Sequence, residues 1–121
     1  MKKVNFFYIQ KSNEAVSELL SKSLPMKTSL QIVRNTDKIE HEMKIAFEMQ
    51  KTIQKKYADE SGQKIDETKI EDFKKEMDEF LKTEVELDLN PIKISDIENI
   101  KDLTLSPATI KICQELGLLV D

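Results

Sequence analysis

Eight residues between positions 32 and 57 recur at alternating steps of four and three, and this period constrains the chain more than any other feature. No Pro or Gly interrupts the stretch, and a period of 3.5 residues is typical of a helix that packs along a narrow seam. At 1.5 Å per residue, the pattern predicts a helix roughly 40 Å long. The eight seam positions are Ile32, Thr36, Ile39, Met43, Ala46, Gln50, Ile53 and Tyr57.

A second apolar segment with the same spacing follows a turn at Gly62 and predicts a helix from about Glu67 to Thr83. Because the connection is short, this helix should run antiparallel to the first, which we expect to extend from Pro25 to about Ala58. We expect Met43 and Phe73 to be core residues of the hairpin. The apolar positions of the second segment are Ile70, Phe73, Met77 and Phe80.

Two stretches have the composition or alternation of β-strands. The segment Val4–Ile9 is rich in aromatic and β-branched residues, and Val85–Leu89 alternates apolar with charged residues. We expect the two strands to pair antiparallel beside the base of the hairpin. Between the first strand and Pro25, Ser12 or Asn13 can cap a short helix that ends near Ser23.

The last thirty residues carry several short signals. Pro91 bends the chain, after which apolar alternation resumes and a capping-box spacing begins at Ser95. Ser106 and Pro107 predict a helix that stops at Gly117. The resumed alternation is at Ile92 and Ile94, and Leu103 and Leu105 indicate a short extended segment. The predicted fold is mainly α (α+β), in one domain spanning 1–121: a long antiparallel helical hairpin, a small antiparallel β-sheet at its base and short C-terminal helices.

Composition limits the function classes. The net charge is −4, and 35% of the residues are charged, which argues against sequence-independent nucleic-acid binding because that depends on excess Lys and Arg. Cys113 is the only cysteine, so no intrachain disulfide can form and a reducing cytoplasm is expected. No apolar stretch has the length of a bilayer span, so we expect no membrane partner.

No residue pattern predicts catalysis, a cofactor or a metal. Asp37 and His41 are four apart and could supply two metal ligands, but His41 is the only histidine and we interpret the pair as solvated. Cys113 has no neighbouring histidine and is interpreted as a buried structural thiol. The remaining carboxylates are interpreted as a solvated charged face, because most of them alternate with lysines on the outward side of the second helix and the others come just after that helix. They are Glu76, Asp78, Glu79, Glu84 and Glu86.

Lysines gather near the predicted tip of the hairpin and could contact phosphate. Because two acidic residues follow directly, we interpret the tip as locally balanced in charge. The lysines are Lys51, Lys55 and Lys56, and the acidic residues are Asp59 and Glu60.

Apolar side chains outside the seam predict an interface. A two-helix hairpin covers only a narrow stripe, and contiguous exposed apolar surface usually marks an interaction site. We therefore expect a homo-oligomer, with a twofold dimer as the simplest closure. Gln50 is a polar residue inside the seam and is a candidate for setting the register of the packing. The candidate interface residues are Phe7, Leu30, Val33, Phe47 and Met49.

The arrangement of elements resembles small, largely uncharacterised helical proteins encoded by tailed phages and prophages of low-GC Gram-positive bacteria. The resemblance implies a non-enzymatic accessory protein in the cytoplasm of the bacterial host cell, which self-associates in assembly or acts as an adaptor. The alternative is an anti-defence inhibitor or sponge that binds a host immune protein or its signalling nucleotide. The matching parts are Leu24–Thr28 before the long helix, Lys56–Asp59 before the turn, Phe73–Leu81, Glu84–Leu87 and Leu105–Pro107.

Overall fold

Five helices and four short strands make up the chain, and the computed structural model describes all residues, 1–121. The strands are β1 Lys2–Asn5, β2 Glu84–Leu87, β3 Ile92–Lys93 and β4 Leu119–Val120. The helices are α1 Phe6–Leu20, α2 Met26–Lys56, α3 Ile70–Lys82, α4 Ile94–Ile97 and α5 Pro107–Leu116. The predicted fold class is confirmed: the protein is mainly α, with a long helix pair and a small antiparallel two-stranded sheet.

Helix α2 forms where the seam predicts it. It begins directly after Pro25, whose fixed φ suits the entry to a helix, and it continues without interruption for 31 residues to Lys56. The seam faces the interior because its 3.5-residue period keeps these side chains on one side. Ile32, Thr36, Ile39, Ala46 and Ile53 are buried, whereas Met43, Gln50 and Tyr57 are half-buried.

The prediction of a strand over Val4–Ile9 is wrong beyond Asn5. The Asn5 side chain accepts a hydrogen bond from the Tyr8 backbone N–H at 3.1 Å, and this cap starts α1 at Phe6 rather than at Ser12 or Asn13. In α1 the buried side chains recur at helical spacing, so the aromatic run packs as a helix despite its β-propensity. The buried residues are Phe6, Ile9, Ser12, Ala15, Val16 and Leu19.

The hairpin between α2 and α3 turns through residues 57–69. An antiparallel bridge joins Ala58 to Ile65, and Gly62 takes a positive φ of 73° that lets the chain reverse. The predicted second helix is confirmed, although its first turn, Glu67–Lys69, is a 3₁₀ turn capped by the Asp66 side chain. Helix α3 returns beside the end of α2 and continues to α1.

Aromatic contacts fasten α3 at both of its ends. The rings of Tyr57 and Phe73 meet edge to face with centroids 6.2 Å apart, and the rings of Phe6 and Phe80 lie 4.7 Å apart. Phe73 is only half-buried and does not pack against the main buried core, so our expectation that Phe73 is a core residue is wrong. Met43 is also half-buried, but it packs against that core.

The first and second strands pair antiparallel, as predicted, although both are displaced from the predicted segments. The register places Lys2 opposite Leu87 and Val4 opposite Val85. Val4 and Leu87 are buried and join the core below the sheet. The sheet therefore anchors the start of α1 to the end of α3.

The C-terminal segment forms a small layer beside α1. Strand β3 pairs in parallel with β4, and Ile94 begins helix α4, so the predicted alternation through Ile94 and the predicted cap at Ser95 are wrong. The predicted limits of α5 are confirmed: Ser106 caps it and Gly117 ends it in the left-handed region, with φ at 80°. An added Cβ at Gly117 would also approach the Lys2 side chain to 3.1 Å.

A buried asparagine joins α2 to the loop after β2. The Asn35 side chain donates to the Asn90 carbonyl at 2.7 Å and accepts from the Asn90 N–H at 2.9 Å. Gln31 donates to the same carbonyl, and Lys38 donates to the carbonyl of Asp88. These bonds satisfy backbone groups next to Pro91, which has no N–H of its own.

None of the helices, α2 included, is both long and apolar enough to cross a membrane.

Candidate functional site

The five predicted interface side chains are all exposed. Their exposed fractions are large enough that no other part of the chain covers them, and Phe47 is the most exposed of the five. The fractions are 42% for Phe7, 49% for Leu30, 47% for Val33, 57% for Phe47 and 44% for Met49. The chain alone therefore leaves these apolar groups in water, and the interface itself stays a prediction.

Only part of this set lies on one side of α2. At 3.6 residues per turn, Leu30, Val33 and Phe47 fall within an arc of roughly 100°. Met26 belongs to the same arc and is 79% exposed, so it extends the surface toward the start of the helix. We call Met26, Leu30, Val33 and Phe47 the outer apolar surface of α2.

Met49 does not belong to the outer apolar surface. It lies roughly 160° from Phe47 around the helix, on the same side as Ile45, which is also exposed. Sequence analysis missed Met26 and Ile45, although each precedes a predicted interface residue by four positions. That i,i+4 spacing is the signal by which both could have been identified.

No metal site forms among the candidate residues. Asp37 and His41 are exposed, and no three of the His, Cys, Asp and Glu side chains come together as a set that could hold a metal ion. Of the predicted solvated carboxylates, only Glu76 makes an ion pair, with Lys56 at 3.2 Å. The nearby Tyr57 hydroxyl and the Lys56 ammonium lower the pKa of Glu76, so this carboxylate is ionised at neutral pH and its ion pair with Lys56 joins the end of α2 to α3.

Cys113 is a buried structural thiol, as predicted. Its side chain is inaccessible to solvent, and burial, together with the Glu18 carboxylate, raises its pKa to about 12. A thiol with that pKa stays protonated at neutral pH and lacks the thiolate that nucleophilic attack requires.

Glu18 forms a polar cluster that sequence analysis missed. Its carboxylate accepts hydrogen bonds from the Ser106 N–H and the Ser106 hydroxyl at 3.0 Å each, and also from the Thr109 hydroxyl. Bonding to Thr109 and Ser106 lowers the pKa of Glu18. The carboxylate thus joins α1 to the first turn of α5, where negative charge also complements the helix dipole. No local sequence signal relates Glu18 to residues nearly ninety positions away.

Gln50 lies half-buried in the seam, where it was predicted to set register, and that role stays a prediction. The buried amide of α2 is Asn35, which is 2% exposed and directs its side chain at Asn90.

Comparisons with protein-family models, with curated proteins and with solved structures give no match.

Proposed function

We propose that this protein is non-enzymatic and acts through protein–protein contacts, in the first place by associating with itself as a twofold dimer. The observation that carries the proposal is the outer apolar surface of α2, which has two exposed parts: Met26, Leu30 and Val33 near the start of the helix, and Phe47 toward its end. Exposed Phe7 on α1 adds an aromatic group to the candidate interface.

The total surface supports the same proposal. The accessible surface is 8389 Å² for a mass of 14.0 kDa, whereas a monomeric protein of that mass is expected to expose about 6,700 Å². Only 21 of 121 residues are buried, which agrees with this excess of accessible surface. A standard interface buries about 800 Å² from each partner, which is less than the excess of accessible surface over the monomer expectation.

A twofold axis across the middle of α2 suits the distribution of side chains. Two antiparallel copies of α2 would place the apolar start of one helix beside Phe47 of the other. The middle of the same face carries both signs of charge, from Asp37, Glu40 and Lys44, so that the two copies can pair opposite charges near the axis.

The accessory or assembly role that the resemblance to phage-encoded proteins implies is part of this proposal. A small helical protein with an exposed apolar face can hold a phage or host protein through the same surface. Self-association is the step that can be tested with the purified chain alone.

Light scattering at tens of micromolar tests the proposal. The wild-type protein should have twice the mass of the 14.0 kDa chain. Phe47→Asp and Phe7→Asp should shift it toward the single-chain mass because each places a charge in an apolar interface. Asn99→Asp makes the same charge change at an exposed position outside α1 and α2 and should remain dimeric. A wild-type mass of one chain would refute the dimer.

A further inference from the structure

A groove beside the hairpin tip has a different chemistry from the outer apolar surface. Its volume is about 470 Å³, within the range of small-molecule sites, and three segments of the chain form it: the end of α2, the turn and the start of α3. The polar and aromatic side chains that line it are Lys51, Gln54, Lys55, Gln63, Lys64 and Phe73.

The lining of the groove contains three lysines and no carboxylate. None of the three forms an ion pair, because the single ion pair of the structure joins Lys56 to Glu76. The charges of the hairpin tip are therefore divided between two depressions of the surface. In the structure Lys56 pairs with Glu76 and does not line the groove, whereas Lys64 does. The acidic residues line a second depression, which shares Lys64 and Ile65 with the groove. These acidic residues are Asp59, Glu60, Asp66 and Glu67.

The rest of the lining suits a ligand with an aromatic ring. Phe73 is half-buried, with Tyr57 against its edge, and it forms part of the groove wall. A flat base can stack on such a ring regardless of its identity. Gln54 and Gln63 supply amide groups that both donate and accept hydrogen bonds, as the edge of a base requires.

We infer that this groove binds a nucleotide, with its phosphates between Lys51, Lys55 and Lys64 and its base against Phe73. Three lysines without an ion pair line one groove, and a phosphate group supplies the negative charge that this lining lacks. The Lys51 ammonium lies 4.4 Å from the centroid of the exposed Phe47 ring, a cation–π contact that does not neutralise its charge. The assignment goes beyond self-association and does not depend on it.

Titration of the ¹⁵N-labelled full chain with ADP at low salt, followed by NMR, tests the inference. The amide shifts should concentrate in residues 51–65 and around Phe73. Inorganic pyrophosphate should bind at the same place but several-fold more weakly because it lacks the base, and added salt should weaken both ligands. Adenosine alone should bind more weakly than ADP.

Variants locate the site. Lys55→Gln and Lys64→Gln should each weaken ADP binding by about three- to tenfold, the effect of losing one charged contact near the surface. Lys111→Gln makes the same charge change at an exposed position of α5 and should leave the affinity within about twofold, which is smaller than the loss of a single ordinary hydrogen bond. All three positions are exposed, so the fold should be retained.

Several results would overturn the inference. No shift up to millimolar ADP excludes the site, and an equal loss of affinity in Lys111→Gln shows unspecific attraction by surface charge. Equal affinity for pyrophosphate and ADP contradicts the role of Phe73 and leaves only an oxyanion site. Much tighter binding of a single-stranded oligonucleotide would assign the groove to nucleic acid instead.

Discussion

Replacing Asn35 by Ala should destabilise the protein by about 1–2 kcal/mol. The side chain is 2% exposed and makes two hydrogen bonds to the Asn90 backbone. Each such bond contributes about 1 kcal/mol net, and Ala recovers about 0.5 kcal/mol through its higher helix propensity. The Asn90 carbonyl keeps its bond from Gln31, so the group left without a partner is the Asn90 N–H.

Urea denaturation measures the change in free energy of unfolding, which should appear as a lower midpoint with an unchanged slope. Amide hydrogen exchange supplies an independent readout, because the Asn90 N–H should lose its protection in the variant. Gln54→Ala is a matched control: it also truncates an amide on α2, but this side chain is exposed, and its effect should stay within about 0.5 kcal/mol. Equal effects of the two substitutions, with the Asn90 amide still protected, would refute the assigned role of Asn35.

Two further predictions concern ionisable groups. Because the pKa of Glu18 is lowered in the folded protein, its contribution to stability is present above the ordinary glutamate range and is lost as the pH falls through the folded-state value. Glu18→Gln should therefore reduce the acid sensitivity of the melting temperature, and an unchanged pH profile would contradict the cluster. Cys113, with a pKa of about 12 and no solvent access, should react with a thiol reagent only when the chain is denatured. Rapid labelling of the native protein would show that the end of α5 opens.

Local signals in the sequence were sufficient to predict an element where the apolar period or the capping residues were compatible with only one structure. The seam from Ile32 to Tyr57 determines α2 because apolar residues at 3.5-residue spacing, with no Pro or Gly, can be buried together only on a helix. Ser106 and Gly117 determine the limits of α5 because each satisfies backbone groups of its own helix end. The antiparallel pairing of the first two strands followed from their positions in the chain, because each strand leads toward or away from the same end of the hairpin.

Tertiary structure decided the features that depend on residues far apart in the chain. Phe6–Ile9 fits either a strand or a helix by composition, and the Asn5 cap together with burial of Phe6 and Ile9 in the core selects the helix. Whether Phe47 is covered depends on where α1 and α3 pack, which no local period specifies.

The lysines of the hairpin tip show the same limit in electrostatics. Lys55 and Lys56 are adjacent in sequence, yet one lines an open groove and the other pairs with Glu76. Helix geometry separates neighbouring side chains by about 100°, so the sequence determined the number of charges at the tip. Only the folding of the turn and α3 against α2 determined which of those charges line the same groove.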